Sequence, residues 1–577
     1  MYKLLAIFHR LKTKFVLIVK HFNCPPFHFF QNMTHKNRFY NLLLLCSLFS
    51  FSMNAQYAPL REMRGVWVAT VMNIDYPSVN TADENTLKTD WIRLIDKHKA
   101  MGINALYVQI RPMADAFYKS NLVPWSRFVT GQSGVAPNNG FDLLAFMIQT
   151  AHERGMEFHA WLNPYRASMD NPVVASFSEN HVLKAHPDWC ILYNKRYLMN
   201  PGLPIVRAHI IDVVAEIVRN YDIDAIHFDD YFYPYKNGSE VLNDYATFQA
   251  YKGPFTNIED WRRNNVDLLI YNLSKTIKQI KPRVQFGISP FGVWRNGNID
   301  PEGSDTRAGL TCYDDLYAEV RKWLREGWID YVVPQVYWTM GFQIAEHERI
   351  VRWWAANSAG KPVYVGHGAY RVGQASNREQ NWSDPSEIPR QIRLSRSIQN
   401  VKGSVYFSSK SLINNTLGVG DSLKYNYYRY TALTPEVIKD VSALNCEPPE
   451  IRALTSEANG QVLLKWKTSM MASRTQPFQY IVYRFPWGQV DFTNGQNIIA
   501  IIPGDPNLKT ELTFFDNQGN TTNLYAVTAS DCFTYEMPKN VVSHTSTKPK
   551  KPTIPKVTTQ KKRVPWWKGF WRRVFGR

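Results

Sequence analysis

The sequence predicts an α/β protein in which a (β/α)8 barrel is followed by a small all-β sandwich. Three observations carry this prediction. From about residue 64 to residue 407, short apolar runs rich in β-branched and aromatic residues alternate with amphipathic helical stretches. Polar and aromatic residues collect where the apolar runs end. Beyond about residue 446 the alternation stops, and strand-like runs follow one another directly.

Eight strands and seven helices can be placed in chain order. The predicted strands cover residues 64–70, 105–110, 157–162, 223–228, 284–289, 331–336, 363–366 and 403–407. The predicted helices cover residues 86–101, 141–154, 205–221, 259–280, 313–326, 343–357 and 387–399. Eight such units predict a closed, TIM-like barrel of parallel strands. An open doubly wound sheet is the alternative, but no glycine-rich phosphate loop follows the first strand.

The last part of the folded chain has a different pattern. Predicted strands at 461–467, 479–485, 498–502 and 523–529 carry Trp466, Tyr480, Tyr483 and Tyr525. About 95 residues of short strands separated by turn signals resemble a fibronectin type III β-sandwich. We expect this module to serve docking or spacing and to take no part in the chemistry. The predicted boundaries are 1–55 for a leader, 56–445 for the barrel, 446–545 for the sandwich and 546–577 for a basic, aromatic tail.

The formal net charge of +18 belongs to the two ends of the 577-residue chain. Residues 1–54 hold seven Lys or Arg and residues 546–577 hold eleven, and neither segment contains Asp or Glu. Acidic and basic residues are therefore equal in number over 55–545. A neutral body requires no surface that follows a phosphate backbone, so no nucleic-acid partner is predicted.

The two ends carry their own predictions. From Met33 a basic segment precedes an apolar run at 42–53, and Ala55 is a candidate cleavage residue, which together predict export to the periplasm or cell envelope. Either translation begins at Met33 or residues 1–32 extend the leader. Residues 564–577 interleave Trp and Phe with Arg and Lys, a composition suited to peripheral contact with an anionic membrane. A solvated, disordered tail is the alternative.

Four cysteines lie beyond the leader, at Cys190, Cys312, Cys446 and Cys532. They show no CxxC or Cys/His spacing of the kind that binds zinc. Cys446 and Cys532 bracket the sandwich and could pair in an oxidising compartment, whereas isolated buried thiols are the alternative.

The polar residues at the predicted strand ends form the candidate active site. The fourth strand ends in two adjacent carboxylates, Asp229 and Asp230, which we predict to be catalytic. Two close carboxylates repel, and this keeps one of them protonated, as a general acid requires. Alternatively, Asp230 caps the next segment and Asp229 acts alone. The candidate substrate-binding residues are Gln109, Arg111, His159, Trp161, Asn163, Arg166, His227, Tyr231, Arg295, Gln335, Tyr337 and Trp338.

This set of side chains suits a sugar. Trp and Tyr rings offer apolar faces to the C–H faces of a pyranose, and amides, His and Arg offer hydrogen bonds to its hydroxyl and amide groups. The sequence contains no HExxH, no GxSxG and no group of three His with an acid. No cofactor and no metal are predicted. A divalent ion held by Asp229 and Asp230 alone would have too few protein ligands.

Several sequence blocks resemble one family. Residues 61–70 (REMRGVWVAT) and 73–78 (NIDYPS) are similar to the signature of glycosyl-hydrolase-like family 10, a family of bacterial envelope proteins. Blocks similar to the family's other motifs lie at 158–166 (FHAWLNPYR), 226–234 (IHFDDYFYP), 286–296 (FGISPFGVWRN) and 333–338 (VPQVYW). The resemblance covers about residues 60–430. It implies a TIM-like barrel that hydrolyses glycan strands built from N-acetylhexosamines, with peptidoglycan as the substrate.

A second resemblance bears on the mechanism. Residues 224–231 (DAIHFDDY) are similar to the DGxDxDxE strand of family 18 chitinases, but His227 and Tyr231 replace an acid and the catalytic Glu. Other N-acetylhexosaminidases use two adjacent acids at this strand end, one to orient the substrate's own acetamido group and one as acid/base. This similarity suggests that Asp229 orients the acetamido group, Asp230 is the acid/base and Tyr337 holds the acetamido oxygen. A glycan-binding protein without turnover and a glycosidase for dietary or host polysaccharide are the competing interpretations.

Overall fold

The computed structural model describes residues 58–374, 376–436, 449–456, 462–467, 479–504, 511–520, 522–530 and 541–542. The leader, the tail and the Cys446–Cys532 pair lie outside these residues, so each stays a prediction. Cys190 and Cys312 are free thiols. Within these ranges, no helix is long and apolar enough to cross a membrane.

Across the described residues, eight parallel strands form the barrel. They are β1 (Met63–Val68), β2 (Ala105–Arg111), β3 (Glu157–Leu162), β4 (Ala225–Phe228), β5 (Gln285–Ile288), β6 (Tyr331–Val332), β7 (Val363–His367) and β8 (Val401–Tyr406). Because β8 pairs with both β7 and β1, the sheet is closed. The predicted barrel is confirmed, and the open sheet is excluded. The sixth predicted strand is shorter than expected because Pro334 interrupts it before pairing resumes at Gln335–Val336.

Helices connect successive strands on the outside of the barrel. They are α1 (Glu84–Ala100), α2 (Leu143–His152), α3 (Pro204–Asn220), α4 (Ile258–Ile280), α5 (Val320–Arg325), α6 (His347–Asn357) and α7 (Glu387–Ser397). Shorter helices lie at Arg127–Thr130, Val182–Ala185, Tyr245–Tyr251, Cys312–Asp315, Ser409–Ile413 and Val419–Ser422. The predicted helix over 313–326 is thus two helices, because Tyr317 takes a left-handed conformation (φ 53°) that an α-helix cannot contain. A hairpin that the sequence pattern did not predict follows β3, with strands Cys190–Tyr193 and Arg196–Met199.

Side chains of the barrel strands alternate between two cores. Outward residues such as Val66 and Val68 pack against the helices. Inward residues form a separate cluster along the barrel axis, which includes Trp67, Tyr107 and Tyr331. The inward face carries many aromatic and polar groups, and the layer nearest the C-terminal ends of the strands forms the floor of the functional site.

A buried ion-pair network joins the two ends of the barrel sequence. Glu62 pairs with Arg64 at 2.9 Å and with Arg396 at 2.7 Å, and Arg64 also donates to the carbonyl of Tyr430. Burial alone would raise the pKa of Glu62, but the two guanidiniums hold it below its ordinary value. The network therefore fixes the segment before β1 to the helix before β8.

The C-terminal strands form two antiparallel sheets, as expected for the predicted β-sandwich. The described strands are β9 (Glu450–Ser456), β10 (Val462–Lys467), β11 (Gln479–Phe485), β12 (Ile498–Pro503), β13 (Glu511–Asp516), β14 (Leu524–Ser530) and β15 (Val541–Val542). One sheet has the order β9–β10–β13 and the other β12–β11–β14–β15. Trp466, Tyr480 and Tyr525 share their core. Pro59, just before β1, bridges to Asn494, so this module contacts the N-terminal end of the barrel. The fibronectin type III assignment stays a prediction.

Candidate active site

A cavity of about 560 Å³ opens at the C-terminal ends of the barrel strands. All eight strands, or the loops directly after them, contribute to its wall, from Trp67 on β1 to Phe407 after β8. Small-molecule sites in proteins span roughly 300–1,000 Å³. Nine of the sequence-predicted site residues line this cavity, namely Gln109, Trp161, Arg166, Asp229, Asp230, Tyr231, Gln335, Tyr337 and Trp338.

Both carboxyl oxygens of Asp229 accept hydrogen bonds. Oδ2 accepts from the Trp161 indole N–H at 3.3 Å and from the side-chain amide of Asn163. Oδ1 accepts from the backbone N–H of Tyr231 at 3.3 Å. Asn163 is itself oriented, because its Oδ1 accepts from the amide of Gln109. Asp229 is therefore held in one orientation at the edge of the cavity.

Asp230 is bonded on one side only. Its Oδ2 accepts from the Tyr235 hydroxyl, whereas its buried Oδ1 has no hydrogen-bond partner within the described part of the chain. A buried carboxyl oxygen without a partner is uncommon in folded proteins, and it often marks a place where a ligand or reacting group belongs. Asp230 has the free oxygen that a general acid needs.

Burial raises the pKa of both carboxyls. The pKa of Asp229 rises to about 7 through burial and the neighbouring Asp230, even though Arg166 and the donors from Tyr231 and Trp161 oppose the rise. Burial also raises the pKa of Asp230, even though the hydrogen bond from Tyr235 and the nearby side-chain amide of Gln335 oppose the rise. Two close, buried carboxyls tend to share one proton near neutral pH, which is the state that separates an acid from a carboxylate.

Aromatic rings form most of the apolar wall. Tyr231 and Tyr235 stack with their centroids 5.0 Å apart. Phe291 packs edge-on against Trp338, and Tyr337 contacts Phe407. Such rings offer flat surfaces to a sugar ring, as the sequence analysis predicted.

Three arginines line the cavity, and they differ in their partners. Arg196 pairs with Asp170, and Arg371 pairs with Glu379 at 2.6 Å. Arg166 instead lies over the Tyr231 ring at 4.6 Å, and no described carboxylate forms an ion pair with it. Its positive charge is thus available to an anionic group bound in the cavity.

The other five predicted residues lie off the cavity wall. Arg111 donates to the carbonyls of Asn163 and Pro164, and Arg295 pairs with Asp300 and Asp314 on an outer loop. His159 and His227 point into the barrel, one layer or more below the cavity, where both contact the Tyr331 hydroxyl. Asn163 lies behind Asp229 and touches it directly.

Several wall residues were not among the predicted site residues, including Trp67, Tyr235 and Phe291. A signal existed for Tyr235, since the aromatic run that begins at Tyr231 continues to it. For Trp67 the signal was its position on β1, where alternation places it on the inward face. Among the residues described, no group of three or more His, Cys, Asp or Glu side chains could hold a metal ion.

The chain was compared with known proteins. The family model described as "Glycosyl hydrolase-like 10" matches residues 62–384. The chain is 42% identical over 487 residues to glycosyl hydrolase YngK of Bacillus subtilis (strain 168), covering 83% of this chain and 92% of YngK. It is 38% identical over 369 residues to glycosyl hydrolase DigH of Escherichia coli (strain K12), covering 60% of this chain and 83% of DigH.

Among solved structures, the glycoside hydrolase domain of PgaB (BpsB) from Bordetella bronchiseptica aligns with a TM-score of 0.41 and 13% identity, over 63% of this chain and 98% of that domain. The family model itself spans more than half of this chain, and YngK matches over nearly its whole length. The predicted enzyme class, glycoside hydrolase, is confirmed. The chain belongs to the glycosyl hydrolase-like 10 family.

Proposed function

We propose that the enzyme cleaves glycan strands containing N-acetylhexosamines, that its substrate is peptidoglycan, and that Asp229 and Asp230 carry the reaction. The observation that carries this proposal is the asymmetry of the pair. Asp229 has both oxygens engaged by donors, whereas Asp230 keeps a buried oxygen without a hydrogen-bond partner among the described residues.

The division of labour follows from that asymmetry. Asp230, protonated, donates its proton to the glycosidic oxygen as the bond to the anomeric carbon breaks. Asp229, ionised, accepts the acetamido N–H, and the acetamido oxygen attacks the anomeric carbon to form a cyclic intermediate. The Tyr337 hydroxyl holds that oxygen in place before the attack. Water then attacks the anomeric carbon as Asp230 takes its proton, and the bond between that carbon and the acetamido oxygen breaks.

Arg166 supports the choice of peptidoglycan. N-acetylmuramic acid carries a lactyl carboxylate wherever the stem peptide has been removed, and a cation in the cavity that lacks an ion-pair partner among the described residues suits such a group. A neutral polymer of N-acetylglucosamine would leave that cation unused.

We also propose that the enzyme acts outside the cytoplasm. The basic and apolar segment at 33–55 supports export to the periplasm or cell envelope, and the Trp- and Arg-rich residues 564–577 support peripheral membrane contact. The C-terminal sandwich would serve as a fibronectin type III-like docking or spacing module.

Mass spectrometry of the products released from purified, peptide-free peptidoglycan tests the function. We expect the wild-type enzyme to create new chain ends, and Asp230→Asn and Asp229→Asn each to lower turnover by about 10³-fold or more. Asp305→Asn is the matched control, since Asp305 is an exposed aspartate on the loop after β5. Saturable binding without new ends would instead show a glycan-binding protein. Cleavage of dietary or host polysaccharide alone would replace peptidoglycan as the substrate.

A further inference from the structure

A continuous hydrogen-bonded chain crosses the inside of the barrel and ends at the cavity. Oε2 of Glu157 lies 2.9 Å from Nε2 of His159, whose Nδ1 lies 2.8 Å from the Tyr331 hydroxyl. The same hydroxyl lies 3.2 Å from Nδ1 of His227. Nε2 of His227 lies 3.0 Å from Oγ of Ser289, a residue of the cavity wall. The chain thus joins the N-terminal end of β3 to the C-terminal end of β5.

This polar chain is almost completely buried up to its end at the cavity wall. His159, His227 and Tyr331 are fully buried, and Glu157 and Ser289 are 6% and 1% exposed. Gly287 makes the arrangement possible, because a Cβ at that position would overlap the Tyr331 ring. Since buried polar groups are costly unless every one of them is bonded, the direction of each donor in the chain is constrained by its neighbours.

The direction of the hydrogen bonds follows from the Glu157 end of the chain, where the carboxyl accepts. The carboxyl of Glu157 accepts from Nε2–H of His159, and a His159 ring with that single N–H has an acceptor at Nδ1. The Tyr331 hydroxyl must donate to that Nδ1. Its oxygen then accepts from Nδ1–H of His227, and this leaves Nε2 of His227 as an acceptor. The last donor is the hydroxyl of Ser289.

Two further observations fit this direction. Burial and the neighbouring His159 hold the pKa of His227 well below its ordinary value, so this ring is neutral and carries a single N–H. The other acceptor near Oγ of Ser289 is the Phe228 carbonyl, which is farther away at 3.4 Å. The Ser289 hydroxyl therefore donates to Nε2 of His227, inside the barrel, and not toward the cavity.

We infer that Ser289 is a specificity-determining residue that offers only hydrogen-bond acceptor lone pairs to the substrate, and that Glu157 sets this polarity from the opposite end of the barrel. The matching ligand group is a hydroxyl donor on the sugar, because the proposed mechanism gives the acetamido N–H to Asp229. Glu157, His159, Tyr331 and His227 are positioning residues. The identity of the ligand rests on the proposed function, whereas the polarity of the chain does not.

The polarity can be measured without any ligand. NMR of the full-length protein labelled with [¹⁵N]histidine reports which ring nitrogen carries the proton, and His159→Gln and His227→Gln assign the two signals. We expect His159 as the Nε2–H form and His227 as the Nδ1–H form. Tyr331→Phe, which keeps the ring volume, should shift both signals and serves if either His variant does not fold. A proton on Nε2 of His227, or a doubly protonated His159, would overturn the inference.

A double-mutant cycle tests the effect on the substrate. We expect Ser289→Ala to lower kcat/KM on peptide-free peptidoglycan about tenfold, Ser289→Thr to retain most of the activity, and Glu157→Leu, which removes the acceptor, to approach the loss seen for Ser289→Ala. The double variant should be no worse than Ser289→Ala alone, because Glu157 acts through Ser289. Ser404→Ala is the matched control, because Oγ of Ser404 also bonds Nε2 of a buried histidine, His367, at 2.9 Å but away from the cavity wall. We expect it to stay within about twofold of wild type.

The outcomes separate the two proposals. Wild-type kinetics in Ser289→Ala, or additive losses in the double variant, would overturn the role of Ser289 and leave the proposed function intact. A wild-type enzyme that neither binds nor cuts glycan would overturn the proposed function and the ligand assigned to Ser289. The histidine tautomers then still decide the polarity of the chain.

Discussion

The Tyr235 hydroxyl donates to Oδ2 of Asp230 and leaves Oδ1 of the same carboxyl without a described partner. The two oxygens of one side chain therefore have different surroundings. One is anchored by a ring that also stacks on Tyr231, and the other is unoccupied beside the cavity. This arrangement orients a general acid without consuming the atom from which the proton leaves.

Tyr235→Phe should separate these two roles. The Tyr235 hydrogen bond opposes the rise of the Asp230 pKa, so its loss should raise that pKa further. Because a general acid is lost as pH rises through its pKa, the alkaline limb of kcat/KM should move to higher pH. Loss of orientation should lower kcat about tenfold. A pH–rate profile measures both effects. Tyr245→Phe removes an exposed hydroxyl and is the control; an unmoved alkaline limb in Tyr235→Phe would contradict the assignment.

Asp230→Asn should stabilise the fold near neutral pH while it abolishes turnover. The pKa of Asp230 is raised in the folded protein, so the folded state holds the proton more tightly than the unfolded state. Stability from this group is therefore lost as pH rises from the unfolded value of about 4 through the folded pKa. The variant should have a higher free energy of unfolding than the wild type at pH 8, and the gain should vanish near pH 4. Urea unfolding at both pH values measures it.

The opposite sign is expected at Asp384. The backbone N–H of Ser386 and the Arg390 guanidinium lower the pKa of Asp384 to about 2. Its stabilisation is present above the unfolded pKa and is lost as pH falls through about 2. Asp384→Asn should therefore destabilise slightly at neutral pH. A parallel response of both variants would show that titration does not cause the difference.

Arg166→Gln should discriminate between anionic and neutral glycans. Its guanidinium is available to a carboxylate in the cavity, so kcat/KM on peptide-free peptidoglycan should fall about tenfold or more, and the loss on neutral N-acetylglucosamine oligomers should be smaller. Comparative kinetics on the two substrates give the ratio. Arg295→Gln is the control, because Arg295 is engaged by Asp300 and Asp314 away from the cavity. Equal losses on both substrates would rule out carboxylate recognition by Arg166.

Gly287→Ala should be strongly destabilising. The new methyl group would overlap the Tyr331 ring, which fills the barrel axis and has little room to move. We expect a loss of about 3 kcal/mol or more in the free energy of unfolding, measured by urea titration. Gly309→Ala is the control, since a Cβ there meets no atom within 4 Å. A variant at Gly287 as stable as wild type would mean that the ring is mobile.

The alternation of apolar runs and helical stretches was sufficient to predict the barrel. The third predicted strand agrees residue for residue with β3, and the helix α4 begins one residue before the predicted start. The elements that were missed depend on local backbone conformation. Tyr317 breaks a helix by a left-handed φ, and the hairpin at 190–199 is too short for a periodic pattern.

The residue types of the active site could be predicted from the sequence, but the depth of each side chain inside the barrel could not. Asp229 and Asp230 lie at the cavity because they directly follow a buried barrel strand, whose C-terminal end opens into it. His159 and His227 are also inward, but a sequence does not show how far below the strand end a side chain lies. Arg111 lies off the cavity wall for another reason. The pairing of β2 with β3 shifts register between Gln109 and Arg111, so the two residues do not share a face as strict alternation would require.

The ion pair between Glu62 and Arg396 has a consequence for folding during synthesis. Glu62 and Arg396 are 334 residues apart in sequence, and β1 likewise pairs with β8 near the end of the barrel. Synthesis therefore delivers the first strand long before its second neighbour exists. Until Val401–Tyr406 has emerged, β1 and the latest strand present open edges to other chains. A nascent chain arrested before this point would be prone to aggregate, and a chaperone that shields strand edges would have most effect within this window.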